Sequence, residues 1–347
     1  MDHVETLTAL TAAVGPSGNE EGAAAVVEAL FARHAAEVWR DPLGNVYGRM
    51  GSGKPVVLVC AHMDEIALCV AAIEDNGMLR LARVGGVDPR VLPGSEVVVH
   101  GRRDLPGVIG AVPPHLLDGA RDAAYRLEDL ACDVGCPPET VRTLVSVGDT
   151  VTFAPLPPLR LQNGFVACKT MDDRSLVSCM CEAMELLSRR TLCCTAVFCA
   201  TVQEELGCYG AAAAGHHIRP DIGIALDVCH APTPDAPSYR TTPPDRVSLT
   251  RGGNIHPGVY ALLSAAAREA NVPFADSIVM GATGTDARTL QLQQGGVPTG
   301  LLELPLRYMH TSVETGNLDT LHGCARILAE CIASLGDGWE DAVCWKD

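Results

Sequence analysis

Apolar positions gather into four short, nearly unbroken runs of aliphatic and small residues: 55–61, 195–201, 222–226 and 298–304. Runs of this length without polar alternation are the pattern of strands buried on both faces, as in a parallel sheet covered by helices. Between the later runs lie stretches with helical spacing of apolar residues, 173–188, 257–270 and 286–294. The chain therefore predicts an α/β fold, a mixed and largely parallel sheet flanked by helices. A further helix is predicted over 21–36, with Ser17 as N-cap and Glu20 three residues on completing a capping box.

Between about 68 and 160 the pattern changes. Short alternating stretches at 95–100, 107–112 and 150–153 are separated by Gly, Pro and Asp turns, with one short helix expected near 127–131. This predicts a small β-rich domain at 68–160 inserted into an α/β domain made of 1–67 plus 161–347. A length of 347 residues, beyond the usual reach of one core, agrees with two units. Residues 232–244, with five prolines, read as an exposed loop, and no internal repeat or low-complexity tract occurs.

Composition narrows the functional classes. Hydrophobic residues at 47% and charged residues at 20% describe a globular chain. A net charge of -16 without any Lys/Arg-rich run argues against nucleic acid and anionic membranes as partners. The 15 cysteines are odd in number and sit inside apolar segments such as 179–181 and 193–199, so reduced, buried thiols are expected. The acidic start Met1-Asp2-His3-Val4-Glu5 is unlike a signal peptide, and no apolar run approaches the ~18 residues of a membrane span. A cytoplasmic protein is the expectation.

Candidate chemistry sits at the ends of the predicted elements. His62-Met63-Asp64 follows the first buried run, where the carboxyl ends of strands in an open α/β sheet meet their ligands. Asp172-Asp173 opens the helix at 173–188, a place where an ordinary N-cap carboxylate also belongs. Glu204-Glu205 follows the run 195–201, and two adjacent carboxylates repel unless a cation or shared proton relieves them. Asp227 closes the run 222–226, and His310 comes shortly after 298–304.

Each of these has a plain reading as a turn or cap residue. Five separate element ends delivering His62, Asp172, Glu205, Asp227 and His310 are together a suitable shell for two divalent, zinc-like ions. In such a site one aspartate bridges the metals and a further carboxylate relays a proton from the activated water, a part that the other half of Glu204-Glu205 suits. His115, His216, His217, His230, His256 and His322 lack this context and read as packing or solvated residues.

Six segments carry a resemblance: Ala61-His62-Met63-Asp64-Glu65-Ile66, Lys169-Thr170-Met171-Asp172-Asp173-Arg174, Val202-Gln203-Glu204-Glu205-Leu206-Gly207, Ala225-Leu226-Asp227-Val228, Gly284-Thr285-Asp286-Ala287 and Arg307-Tyr308-Met309-His310. Through them the chain resembles, over nearly its whole length, the tetrahedral-type dimetal aminopeptidases. These include glutamyl, leucyl and deblocking aminopeptidases, sometimes mislabelled endoglucanases. The resemblance implies a zinc-exopeptidase-like α/β fold and release of N-terminal amino acids from short peptides. It implies two divalent ions, zinc first, with cobalt or manganese as alternatives. His62 and Asp227 would hold one ion, Glu205 and His310 the other, and Asp172 would bridge them. Glu204 would be the general base, and Asp64 would orient His62. The inserted segment would be a PDZ-like dimerisation domain, and homo-oligomers from a dimer to a tetrahedral dodecamer would follow.

Ala67, Cys208-Tyr209 and Thr311-Ser312 depart from the family's usual Gly, Leu-Arg and Ser-Pro. None is a ligand, so the departures bear on pocket shape. A carboxypeptidase, an N-acyl amino acid deacylase or a non-catalytic homologue are the alternative readings. A glycosidase pair at Glu204 leaves both histidines unexplained, and 4% aromatic residues offer few platforms for sugars.

Overall fold

The computed structural model describes residues 1–116 and 124–344. The four apolar runs become adjacent parallel strands at the centre of an eight-stranded sheet, in the spatial order Thr195–Thr201, Val56–His62, Ile222–His230 and Thr299–Leu306. Antiparallel strands Val46–Gly51 and Glu37–Arg40 extend one edge. Val247–Gly252, antiparallel to its inner neighbour, and Phe274–Val279 extend the other.

The period of two divides each central strand between two cores. Val57, Val59 and Ala61 join Ala196, Phe198 and Ala200 under the helices His3–Ala12, Glu21–Phe31, Met171–Leu187, Pro257–Glu269 and Leu318–Ala333. Leu58 and Cys60 join Val197 and Cys199 on the opposite face, against Ala211 and Ala214 of the helix Tyr209–Ile218. A one-residue slip would exchange the two sets and misplace every residue at the strand ends.

The segment beyond the first buried strand forms a closed antiparallel barrel, in the order Ala67–Ile73, Leu79–Val84, Leu130–Asp133, Asp104–Ala111, Glu96–His100 and Thr150–Phe153. It has a core of its own, including Val70, Leu79, Val97, Val99, Ile109 and Val151. Alternation along Asp104–Ala111 turns every second side chain inward, as a half-buried strand requires.

Several local expectations are corrected. Ser17 and Glu20 do not form a capping box: Ser17 Oγ donates to Asp64 Oδ2 at 2.6 Å, and the helix Glu21–Phe31 begins without a side-chain cap. The ionised Asp64 is the stronger acceptor for that hydroxyl. The stretch 286–294 shortens to the helix Ala287–Leu290 and a 3₁₀ turn Gln293–Gly295. Near 127–131 only a 3₁₀ turn Leu127–Asp129 forms, because Leu130 and Cys132 are drawn into the barrel core on the strand Leu130–Asp133. Pro138–Leu144 is a helix the sequence reading passed over, opened by the proline at its first position.

A three-stranded sheet, Leu159–Arg160, Phe165–Cys168 and Glu314–Asn317, sits beside the main one and pairs Cys168 with Glu314. It brings the segment leading to Asp172 against the segment that follows His310.

Candidate metal centre

His62 is the last residue of its strand, and the imidazole is buried. Its Nδ1 side faces Asp64, 3.2 Å from the main-chain oxygen and 3.4 Å from Oδ1. Its Nε2 faces Asp172 Oδ1 at 3.0 Å. Asp64 also accepts the backbone N–H of Glu204 at 3.0 Å and of Glu205 at 3.2 Å. Asp64 thus meets His62 through its main chain and ties the adjacent strand's carboxylate pair beside it.

Asp172 lies where the helix Met171–Leu187 has not yet taken helical geometry, with φ -79° and ψ 104°, and its peptide with Asp173 is cis. Its two oxygens point to different imidazoles: Oδ1 to His62, and Oδ2 to His310 Nε2 at 3.2 Å. His310 Nε2 is also 3.1 Å from Glu205 Oε1, while Nδ1 lies 3.0 Å from the main-chain oxygen of Gly86 in the inserted segment. Glu314 holds both sides together, accepting the backbone N–H of His310 at 2.8 Å and of Asp172 at 2.9 Å.

Donor atoms of His62, Asp172 and Glu205 lie within 4.8 Å of one another, as do those of His62, Asp173 and Asp227. The structure therefore gathers all five expected ligands around His62 and Asp172, with Asp227 joined through His62 and Asp173. Glu204 is buried beside them, with Oε2 3.9 Å from His62 Nε2 and Oε1 accepting from Cys208 Sγ at 3.2 Å.

The electrostatics of this cluster call for positive charge. Burial and the neighbouring carboxylates push Glu204 up to about 8 and hold Asp227 well above the usual carboxylate range. Burial presses His310 down, but Asp172 and Glu205 outweigh it and raise it to about 11. His62 is likewise raised against burial by Asp172 and Asp64. The nearby cations are already committed: Lys169 and Arg174 are both paired with the buried Glu65. Two imidazoles and several buried carboxylates, one with each oxygen turned to a different histidine, fit a pair of divalent cations.

The backbone bends unusually to achieve this. Thr170, Gln203, Cys208, Tyr308 and His310 all have φ between 55° and 63°, a left-handed conformation that costs a non-glycine residue about 1–3 kcal/mol and collects at functional sites.

Sequence reading missed Glu314, Gly86 and the part played by Asp173 and Asp286. Asp286 is buried within the segment Gly284-Thr285-Asp286-Ala287 and accepts from Thr201 Oγ1 at 2.6 Å, so that segment was its only signal. Glu314 and Gly86 act through backbone contacts, which leave no trace in spacing. Among the other histidines, His216 and His217 fall in the last turn of Tyr209–Ile218 rather than in the connection after it.

Comparison with known proteins agrees with this geometry. The model of the M42 glutamyl aminopeptidase family matches residues 44–327. A lysyl aminopeptidase of Pyrococcus furiosus is 34% identical over 290 residues, covering 81% of this chain and 82% of its own. An aminopeptidase from the archaeon Desulfurococcus kamchatkensis superposes with a TM-score of 0.91 at 32% identity, covering 98% of this chain and 97% of that one. The TET1 peptidase of Pyrococcus horikoshii, described as assembling into a tetrahedron or a large octahedral shell, superposes with a TM-score of 0.85 at 28% identity over 96% of this chain and all of that one. With its sheet, its inserted barrel and its cluster of histidines and carboxylates, this chain belongs to the M42 glutamyl aminopeptidase family and is a hydrolase acting as an aminopeptidase.

Proposed function

We propose that the protein releases N-terminal amino acids from short peptides with two divalent ions, zinc first, cobalt or manganese as alternatives. His62 and Asp227 hold one, Glu205 and His310 the other, and Asp172 lies between them. The observation that carries this reading is Asp172, whose two oxygens face two imidazoles at 3.0 and 3.2 Å. When bound, the ions supply Lewis acidity to the scissile carbonyl and to the attacking water.

Glu204 takes the proton of that water and returns it to the leaving amine. Its burial, with Oε2 3.9 Å from His62 Nε2, supports this part. Asp64 keeps His62 turned with Nε2 toward the site, and Glu314 holds the His310 and Asp172 main chains in register.

The barrel, with its own core, supports reading 68–160 as a unit apart from 1–67 plus 161–347, PDZ-like and suited to dimerisation. Likeness to the TET1 peptidase supports a homo-oligomer, up to a tetrahedral dodecamer. The fifteen free thiols favour the cytoplasm, and no helix among the described residues is long and apolar enough to cross a membrane.

The test compares variants on an aminoacyl p-nitroanilide and on its N-acylated counterpart. Glu204→Gln should keep its metal and lose about 10²–10⁴-fold in kcat. His62→Ala and His310→Ala should lose metal. Turnover should require a free α-amine. Undiminished turnover in Glu204→Gln would remove that residue from its role, and preference for the acylated substrate would favour a deacylase.

A further inference from the structure

A second cluster of donors lies on the helical layer. His3 opens the helix His3–Ala12, Glu182 lies toward the end of Met171–Leu187, and His322 sits near the start of Leu318–Ala333. Nine residues of helix, a rise of roughly 14 Å, separate Glu182 from Asp173 at the metal centre. The fold brings the three together across 179 and 140 residues of chain.

Each oxygen of Glu182 meets its own imidazole: His3 Nε2 lies 2.5 Å from Oε2, and His322 Nδ1 lies 2.5 Å from Oε1. The carboxylate is buried between these two rings. Ser178, one helical turn before Glu182 and on the same face, places its hydroxyl 2.8 Å from His3 Nδ1. Ser178 can accept the Nδ1 proton, the tautomer that frees Nε2 as a metal ligand. At 2.5 Å the two contacts to Glu182 each share a proton, which a bound divalent ion would displace.

The three donor atoms lie within 4.8 Å of one another, and two histidines with one glutamate form a three-ligand zinc set that leaves a fourth position open. The His322 side chain is half exposed, which gives an ion a way in from solvent. Ser178 supplies the contact that turns a ligand histidine toward its metal.

We infer that His3, Glu182 and His322 form a site for one divalent cation of the zinc type, separate from the metal centre. Its occupation ties the first helix to the helix Met171–Leu187. The site crosslinks three helices that are remote in sequence, so the ion stabilises the folded chain as any ligand of the native state does.

The test is zinc content per chain of the full-length protein, equilibrated with zinc and gel-filtered. The wild type should carry one zinc more than His322→Ala, and His322→Cys, which puts a thiolate donor at the opening, should recover it. His230→Ala, outside the cluster, should keep the wild-type content. His322→Ala should also lose the zinc-dependent part of the wild type's thermal stability while its peptidase turnover stays unchanged. Equal zinc content in the wild type and His322→Ala would overturn the assignment and leave a triad held by protons. Equal loss in His230→Ala would overturn it in favour of unspecific surface binding.

Discussion

Glu314 accepts the backbone N–H of His310 at 2.8 Å, fixing a histidine whose φ of 63° lies in the left-handed region. The same carboxylate also accepts from Asp172, so a single buried side chain sets the distance between two residues proposed to hold metal. Replacing it with alanine leaves both ligands present but loosely held. Glu314→Ala should bind metal about 10–100-fold more weakly while folding normally, as read by metal titration beside circular dichroism. Wild-type affinity in this variant would show that His310 needs no such support.

Gly86 reaches the same histidine from the inserted barrel. Its carbonyl lies 3.0 Å from His310 Nδ1, and a Cβ at this position would meet the ring at 2.7 Å. Gly86→Ala should therefore push the imidazole from its place, lowering metal retention and turnover together without lowering the stability of the sheet. A variant with full activity would mean that the ring has room to shift.

The buried ions behind the metal centre carry a stability prediction. Glu65 is paired with Lys169 and with Arg174 Nη2, the latter at 3.2 Å, and all three side chains are buried. Arg174 also donates to the main-chain oxygens of Met63 at 2.9 Å and Leu10 at 2.6 Å. Glu65→Ala strands two buried cations and should cost about 3–5 kcal/mol, measured by denaturant unfolding. A cost within experimental error of zero would mean that water reaches Lys169.

Glu303 lies in the buried strand Thr299–Leu306, where burial pushes its carboxyl up to about 7 despite hydrogen bonds donated by Thr250 and Ser248. A carboxyl raised on folding keeps its proton after the unfolded chain has lost its own. Stability is therefore lost as pH rises from about 4.5, the ordinary value, to about 7, by at most about 3 kcal/mol. Glu303→Gln removes this slope. Its stability relative to the wild type should be greater at about pH 8 than at about pH 5. An equal difference at both values would refute the buried proton.

The sequence alone determined the inner strands of the sheet and pointed to the residues gathered at the candidate metal centre. Four apolar runs had to be buried on both faces, and all four became its parallel inner strands, because a continuous β-branched or aliphatic stretch has no other low-energy place. The outer strands Glu37–Arg40, Val247–Gly252 and Phe274–Val279 were not legible, since their residues are only partly apolar and are held by neighbours rather than by their own pattern. His62, Glu204, Glu205 and His310 could be chosen beforehand because each ends a strand or follows one closely, and parallel strands deliver their carboxyl ends to one side. Asp172 opens a helix, and Asp227 was chosen as the end of the run 222–226, although its strand continues to His230.

Tertiary structure alone decided how those residues face one another. Ser17 gave its hydroxyl to Asp64 instead of capping a helix, Glu314 joined the backbones of His310 and Asp172, and the Gly86 carbonyl came from beyond the strand Leu79–Val84 to meet His310. His322 and His3, both unremarkable in sequence, met across Glu182. Hydrogen bonds to remote carboxylates and carbonyls depend on approach in three dimensions and obey no spacing along the chain. Burial patterns obey such a spacing, and for that reason they could be read first.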